Sequence, residues 1–430
     1  MIKLCAANNE EVKKLLSRKF EYGAQVEDVV NDILKAVKID GEEAVFEYTK
    51  MFDGAYLSSD NFKVSQQEID EAYEIVEREV VKYIEEAAAN IADFHKKQKP
   101  VSWLEGDKED NLLGQMYTPL ERVGVYVPGG TAAYSSSVLM NAVPAKVAGV
   151  KEIVMVSPPS NNGKLNPYTL VAADVAGVDE IYKVGGAQAV AALAYGAGQL
   201  KPVDKITGPG NIYVTVAKKV VYGIVDIDML AGPSEILIIA DKSANPKYVA
   251  ADMLSQAEHD ELAAAILLTP EKDLAEAVVQ ELETQLANLS RRDIIKKSLR
   301  NYSAAIITED LAEAIEIANN YAPEHLELLV EEPFEIMPDI KNAGAIFVGE
   351  WSPEPVGDYF AGPNHILPTG GTARFYSPVT VDTFMKKSSI IYYKKNNLLK
   401  NGEKIIKLAE TEGLDAHANA VQVRLNNEFE

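Results

Sequence analysis

The chain has 430 residues, of which 47% are hydrophobic, and it carries a formal net charge of −23 with a single cysteine, Cys5. Its length predicts two or more domains, and its negative charge argues against nucleic acid as a partner, because binding a phosphate backbone requires basic surface. One cysteine excludes a disulfide within the chain and a zinc site built from several thiolates, so any zinc would be held by nitrogen and oxygen atoms.

The first hundred residues have a mostly helical pattern. No apolar stretch near the start could serve as a signal sequence or a membrane span, which predicts a cytoplasmic protein without a membrane partner. Residues 1–23 are predicted to form a helical arm. Apolar residues at every third or fourth position then predict helices over 26–37, 41–51 and 66–98. His95, in the last of these helices, is predicted to lie on the surface.

From Val123 onward, apolar strands alternate with helices of ten to fifteen residues, which predicts βαβ units and parallel sheets. Strands are predicted at 123–127, 153–156, 181–184, 203–206, 236–239, 265–268, 304–307, 326–330 and 345–348. Helices are predicted at 135–147, 247–257, 271–287 and 309–320. After about residue 377 the alternation ends. A helix at 401–412 and a short strand near 421–425 predict a small C-terminal appendage.

Loops rich in glycine follow three of the predicted strands, at Pro128-Gly129-Gly130, Gly185–Gln188 and Gly208–Asn211. In an open parallel sheet these strand ends share one edge, where ligands bind, and glycine lets backbone amides approach a phosphate. The dinucleotide fingerprint G-x-G-x-x-G is absent. Ordinary tight turns are therefore as good an explanation of the loops as a cofactor site.

Four of the five histidines lie in short polar clusters in the C-terminal half: Ser255–His259, Ala322–His325, Gly357–His365, and Glu412 with His417. Imidazoles and carboxylates gathered in this way are typical of a metal site with an acid–base pair beside it. The pattern favours an enzyme.

Each cluster leaves alternatives open. Gln256 and His259 are three apart on a predicted helix and share a face, so both could reach one cation. Glutamine is an unusual zinc ligand, so Glu258 or the Glu324-His325 pair are equal candidates, and a solvated helix end explains the motif slightly better. Glu324 and His325 are adjacent and could make two separate proton transfers. Two prolines predict a stiff loop that presents Asp358.

Taken together, these motifs resemble the histidinol dehydrogenase family in order and rough spacing, over about residues 25–425. The motifs that carry the resemblance are Gly185–Gln188, Gly208–Asn211, Ala231–Glu235, Ser255–His259, Pro323–His325, Gly357–Tyr359 and Asn364-His365. The resemblance implies an α/β fold with two Rossmann-like doubly wound parallel-sheet domains, of the histidinol dehydrogenase/aldehyde dehydrogenase type. It assigns 24–122 with 238–377 to the first domain and 123–237 to the second. A helical N-terminal arm (1–23) and an α+β C-terminal dimerisation segment (378–430) complete the chain.

The same resemblance implies the site, residue by residue. One Zn²⁺ per subunit would be bound by Gln256, His259, Asp358 and His417. Proton transfer would fall to Glu324 and His325. Substrate contacts would come from Ser234, His365 and Glu412, in addition to His325 and the zinc ligands. NAD contacts would come from Tyr126, Gln188 and Asn211.

The implied reaction is the oxidation of L-histidinol to L-histidine through bound L-histidinaldehyde, in two NAD⁺-dependent steps that end histidine biosynthesis. The implied assembly is a homodimer in which Glu412 and His417 complete the partner's site. The nearest alternative is a paralogous zinc- and NAD-dependent dehydrogenase of another small polar alcohol. A metallohydrolase that uses His259, Asp358 and His417 with Glu324 as base, and a nucleotide-binding module without enzyme activity, are further alternatives.

Overall fold

The computed structural model describes residues 2–17, 23–108, 111–129 and 134–426. Three parts of the predictions lie outside these residues: Met1 and 18–22 of the N-terminal arm, Gly130 of the first glycine loop, and 427–430 of the C-terminal segment.

The described strands are, in chain order, β1 (Lys3–Ala6), β2 (Trp103–Gly106), β3 (Leu112–Pro119), β4 (Arg122–Tyr126), β5 (Glu152–Ser157), β6 (Glu180–Lys183), β7 (Lys205–Thr207), β8 (Asp226–Ile227), β9 (Glu235–Ala240), β10 (Ala264–Thr269), β11 (Ala304–Ile307), β12 (His325–Leu329), β13 (Ala345–Val348) and β14 (Met385–Tyr392).

The described α-helices are α1 (Glu10–Leu16), α2 (Ala24–Asp40), α3 (Glu42–Asp53), α4 (Gln66–Ile75), α5 (Arg78–Lys96), α6 (Ser135–Ala148), α7 (Pro167–Val175), α8 (Gly186–Tyr195), α9 (Ile212–Val221), α10 (Pro246–Ala257), α11 (Lys272–Leu286), α12 (Arg292–Tyr302), α13 (Leu311–Tyr321), α14 (Pro333–Ile336), α15 (Glu354–Tyr359), α16 (Lys395–Thr411) and α17 (Asp415–Asn426). None of them is long and apolar enough to cross a membrane.

Two parallel sheets organise the larger of two compact units. One has six strands in the order β1-β11-β10-β9-β12-β13, and the other has five in the order β6-β5-β4-β7-β8. Their central strands are apolar runs buried on both faces, as parallel strands covered by helices require. The predicted α/β fold with two parallel sheets is confirmed.

Helices cover both faces of the six-stranded sheet. On one face, Ile236 and Ile238 of β9 pack with apolar residues of α10, α11 and α12. On the opposite face, Leu237 and Ile239 pack with residues of α1 and α13. This alternation along β9 follows from the two-residue period of a strand, and it gives the sheet two separate hydrophobic cores.

The N-terminal segment differs from its prediction. Lys3–Ala6 form β1, an edge strand in which Lys3 lies opposite Ala304 of β11, so a helical arm is wrong for these residues. A free sheet edge can recruit a short segment whose own sequence does not reveal it. The predicted helix 66–98 is two helices, and Ser65 begins the first with a capping box to Glu68. His95 is buried, not exposed, and its Nδ1 lies 2.7 Å from Gln98 Oε1.

Helices α2 and α3 belong to the core of the five-stranded sheet. Val30 and Leu34 of α2 and Val45 of α3 are buried with Val154 of β5 and residues of α8. The expected grouping of 24–122 with 238–377 is therefore wrong for these helices. Their amphipathic patterns show that each buries one face, but the partner of that face is decided by long-range packing.

A second compact unit comprises Lys99–Pro119 and Met385–Glu430. It contains the antiparallel sheet β14-β3-β2 and the helix pair α16 and α17. The predicted strand near 421–425 is wrong, because these residues belong to α17. Leu425 packs directly against Gly402 of α16, where a β-carbon would come within 2.8 Å of its methyl groups. The packing of α17 against α16 outweighs the alternating pattern of 421–425, which locally favours a strand.

Candidate active site

The catalytic candidates lie at the amino ends of strands in the six-stranded sheet. His325 is the first residue of β12 and pairs in register with Ile236 of β9. Glu324 and Ser234 immediately precede these two strands. Ligands of open parallel sheets usually bind at the carboxyl ends of strands, so general fold rules would have placed this site at the wrong edge.

Three candidate metal ligands lie together beside His325. Nitrogen and oxygen atoms of His259, Glu354 and Asp358 all lie within 4.8 Å of one another. Gln256 is fully buried, its Nε2 lies 3.5 Å from His259 Nδ1, and its Oε1 has no hydrogen-bond partner in the described structure. The structure thus brings together the predicted residues Gln256, His259 and Asp358.

Glu354 is the residue that sequence reasoning missed. The segment around Asp358 is not the predicted stiff loop but the helix α15, with Pro353 as its N-cap residue and a second proline in its first turn. Proline suits the first turn of a helix, where its missing N–H costs nothing. Glu354 and Asp358 are therefore four apart on one helix face, and that spacing is the signal that could have identified Glu354.

The backbone of Glu235 holds both members of the acid–base pair. His325 Nδ1 lies 3.1 Å from the carbonyl oxygen of Glu235, and the amide of Glu235 donates to Glu324 Oε2 at 2.9 Å. A carbonyl oxygen only accepts, so Nδ1 carries the hydrogen and Nε2 is the free base. Nε2 has no hydrogen-bond partner in the described structure.

Burial sets the protonation of this pair. It lowers the pKa of His325 to about 4 and raises the pKa of Glu324 well above its usual range. The imidazole is therefore neutral at pH 7 and can accept a proton. Glu324 keeps its proton to a higher pH than an ordinary glutamate, and such a pair in one buried site is typical of acid–base catalysis.

Further buried carboxyl groups lie near Glu324 and His325. Ser255 Oγ donates to Glu354 Oε2 at 3.3 Å, and the amide of Glu354 donates to Glu327 Oε1 at 3.0 Å. Burial raises the pKa of both Glu327 and Glu354 well above the usual value, and it raises the pKa of Asp252 to about 6. A nearby divalent cation would favour the charged form of Glu354.

His365 also reaches this cluster, and the two remaining predicted residues, Glu412 and His417, belong to the other compact unit. His365 Nδ1 is 3.1 Å from the backbone carbonyl of Asp358 and 3.8 Å from its carboxylate. Glu412 and His417 belong to the second compact unit, at the end of α16 and in α17, and both are exposed there.

The three cofactor candidates lie at the carboxyl edge of the five-stranded sheet. Tyr126 ends β4, and its hydroxyl accepts a hydrogen bond from the Gly186 amide at 3.0 Å. Gln188, in the first turn of α8, is buried with both amide atoms unpartnered in the described structure. Asn211 is the N-cap residue of α9 and accepts from the amides of Tyr213 and Val214.

The sequence model of one family, histidinol dehydrogenase, matches residues 16–425. The chain belongs to the histidinol dehydrogenase family. It is 59% identical over 425 residues to the histidinol dehydrogenase of Heliobacterium mobile, covering 99% of this chain and 100% of that one. It is 55% identical to that of Carboxydothermus hydrogenoformans over 98% of this chain and 99% of the other.

The fold agrees with this assignment. The crystal structure of histidinol dehydrogenase from Elizabethkingia anophelis superposes with a TM-score of 0.95 at 39% identity, covering 100% of this chain and 99% of that chain. The predicted family and the predicted oxidoreductase of histidine biosynthesis are confirmed. Because histidinol dehydrogenases match the chain over nearly its full length, neither the metallohydrolase nor the non-enzymatic module has support.

Proposed function

We propose that this chain oxidises L-histidinol to L-histidine through bound L-histidinaldehyde, in two NAD⁺-dependent steps, with one Zn²⁺ per subunit. The observation that carries the proposal is the neutral imidazole of His325. Its Nδ1 is held by the Glu235 carbonyl, and its free Nε2 lies 3.8 Å from Glu354 in the acidic cluster. A base of this kind beside a cation site suits removal of a proton from a chelated alcohol.

The donor set beside His325 fits zinc. Gln256, His259 and Asp358 supply amide oxygen, imidazole nitrogen and carboxylate oxygen, which zinc accepts. The Oε1 of Gln256, which has no partner among the described residues, is a buried acceptor that a cation would satisfy. We propose that His417 of the other subunit completes the set. When bound, zinc would anchor the imidazole and amino nitrogens of the substrate and orient its alcohol.

In the alcohol oxidation, His325 Nε2 takes the hydroxyl proton, and a bound NAD⁺ would supply the acceptor for the hydride. The hydrogen bond from Nδ1 to Glu235 keeps the ring in the tautomer that this step requires. Because burial holds the pKa of His325 at about 4, the ring is already unprotonated at neutral pH and needs no prior deprotonation.

In the aldehyde oxidation, Glu324 activates the water that hydrates the carbonyl. Its Oε2 is held by the Glu235 amide and lies 3.7 Å from His325 Nδ1, so the two bases stay in fixed relation through both steps. The raised pKa of Glu324 makes its carboxylate a stronger base than an ordinary glutamate. Ser234, His365 and the exposed Glu412 are proposed to contact the substrate.

Tyr126, Gln188 and Asn211 are proposed to hold NAD⁺, which would supply the hydride acceptor. The buried amide of Gln188 has no partner among the described residues, and it offers both a donor and an acceptor to a polar ligand. We further propose a homodimer in which Glu412 and His417 reach the partner's site. The cytoplasmic location and the lack of a membrane partner stay predictions.

The deciding experiment is the end-point yield of NADH from limiting L-histidinol, with zinc-loaded protein and excess NAD⁺. Two NADH per histidinol would support the two-step reaction. One NADH would mean that the aldehyde escapes, and it would contradict the hydration role of Glu324. No NADH from metal-replete, folded protein would contradict the proposal and favour a paralogous dehydrogenase of another small polar alcohol.

A further inference from the structure

A buried ion pair holds the glycine loop between β7 and α9. Lys218 of α9 and Asp228, which follows β8, form an ion pair, and their side chains are only 3% and 1% exposed. Both residues also bind Gly208. The Gly208 amide donates to Asp228 Oδ2 at 2.7 Å, and Lys218 Nζ donates to the Gly208 carbonyl at 2.9 Å. The pair therefore fixes the peptide groups on both sides of this glycine.

Gly208 occupies a position where a side chain does not fit. Its φ is +112°, and a β-carbon there would lie 2.1 Å from the carbonyl oxygen of Tyr126. Only glycine fits such a close backbone approach. Three residues later, Asn211 begins α9 with its side chain bonded to two helix amides. The conformation of Gly208 thus sets the spacing between Tyr126 and Asn211.

Asp228 also accepts a hydrogen bond from the backbone outside the glycine loop. Its Oδ1 accepts from the Met229 amide at 2.6 Å, at the start of the segment that leads to Ser234. Nearby, Thr215 of α9 donates to the carbonyl of Ala231 in the same segment. One carboxylate therefore holds the loop that carries Asn211 and the backbone just after β8, whereas Ser234 lies five residues further along, next to the first residue of β9 in the other parallel sheet.

The energetics favour a positioning role over a stabilising one. Moving two charges from water into a protein interior costs several kcal/mol per ion, and well-packed apolar replacements of buried ion pairs are often as stable. The charges of this pair are instead satisfied by the backbone of a single loop, which gives that loop one rigid conformation.

We propose that Lys218 and Asp228 are positioning residues for the cofactor: they hold Gly208 so that Tyr126 and Asn211 present one preformed surface to NAD⁺. The inference rests on the NAD site of the proposed function. It predicts that the pair controls NAD⁺ affinity while leaving L-histidinol binding and proton transfer at His325 unchanged, because those groups lie on the other parallel sheet.

The test uses the zinc-loaded enzyme with Asp228→Asn and, separately, Lys218→Gln. Asp228→Asn keeps an oxygen for the Gly208 amide but leaves Lys218 without its counter-ion. The matched control is Arg122→Gln, because Arg122 pairs with Glu152 and Glu180 at the opposite, amino edge of the same sheet and is 12% exposed. KM for each substrate, kcat and the unfolding temperature are measured, with NAD⁺ binding by titration calorimetry.

Both variants should raise KM and Kd for NAD⁺ about tenfold, the effect of losing one charge-assisted hydrogen bond. KM for L-histidinol should stay within about twofold. Arg122→Gln should lower the unfolding temperature without changing KM for NAD⁺. A lower unfolding temperature with unchanged NAD⁺ affinity, or equal changes in the KM of both substrates, would overturn the proposal.

If Asp228→Asn does not fold, Lys218→Gln decides alone, since it keeps a donor for the Gly208 carbonyl. Failure of the proposed function is distinguishable from failure of this inference. The first would appear as no NADH formation by the unmodified enzyme with L-histidinol. The second would appear as full activity of the unmodified enzyme and unchanged calorimetric NAD⁺ affinity in both variants.

Discussion

Glu354 Oε1 lies 3.8 Å from His325 Nε2, and neither atom has a hydrogen-bond partner in the described part of the chain. The carboxylate also lies within 4.8 Å of the ligand atoms of His259 and Asp358. One buried acid thus connects the candidate metal site to the candidate base. Through Glu354, a change at the metal site is expected to affect proton transfer at His325.

Glu354→Gln should weaken zinc binding about tenfold or more, because it removes a negative charge beside the three predicted ligands without removing a ligand. Zinc affinity is measured by competition with a chelating dye. Glu350→Gln, at an exposed position ahead of α15, is the control and should leave the affinity unchanged. Equal zinc affinity in both variants would show that Glu354 does not act on the metal.

Glu324→Ala and His325→Ala should damage different half-reactions, because only one of these side chains is proposed to activate the hydrating water. Glu324→Ala should lower aldehyde oxidation about 10²-fold or more and affect alcohol oxidation less, the usual scale for loss of a general base. The two rates are measured separately with L-histidinol and L-histidinaldehyde. Equal losses in both reactions for both variants would contradict separate roles.

Glu327→Gln should stabilise the protein, and increasingly so as the pH rises. Burial raises the pKa of Glu327 in the folded state, so the folded protein binds more protons than the unfolded chain and loses stability as the pH rises through that pKa. Glutamine does not titrate and avoids this loss. The free energy of unfolding in denaturant, compared between pH 5 and pH 8, measures the effect.

The control for that comparison is Glu105→Gln, at an exposed position of β2. Its stability difference from the unmodified protein should not depend on pH. A constant difference for Glu327→Gln over the same range would mean that Glu327 is charged at both pH values in the folded protein.

Removal of zinc with a chelator should abolish activity and leave the secondary structure intact. The hydrophobic cores formed by the described residues around the two parallel sheets contain none of the predicted zinc ligands, so their burial does not depend on the metal. The unfolding temperature should fall modestly, because the ligand no longer stabilises the folded state by mass action. Cooperative unfolding on chelation, followed by circular dichroism at 25 °C, would refute this prediction.

Subunit mixing tests the proposed sharing of sites. His417→Ala and Gln256→Ala should each be inactive alone, because each removes one predicted zinc ligand. If the ligands come from different subunits, mixed dimers carry one site with both ligands intact, and part of the activity should return. The measurement is NADH formation after confirmed subunit exchange. No recovery would place both ligands in one chain.

Much of the fold could be predicted because local patterns determine local structure. The apolar runs of β9 and β10 mark strands buried on both faces, and glycine loops follow β6 and β7 where a tight turn is required. The three-residue spacing of Gln256 and His259 placed them together, although α10 ends at Ala257 and His259 lies in the turn that follows, where its amide donates to the Gln256 carbonyl. Family motifs supplied the remaining site residues, which spacing alone left open.

The tertiary structure decided the features that depend on residues far apart in the sequence. Lys3–Ala6 became a strand because β11 offered a free edge, and α2 joined the five-stranded sheet through contacts that its own sequence does not specify. The raised pKa of Glu324 arises from its burial, and Nε2 of His325 is the free base because Nδ1 meets the carbonyl of Glu235, about ninety residues earlier in the chain. The sequence by itself determined which chemical groups and elements this protein has. Only the packed chain decided their contacts and charge states, because desolvation and hydrogen bonding depend on neighbours that sequence proximity does not reveal.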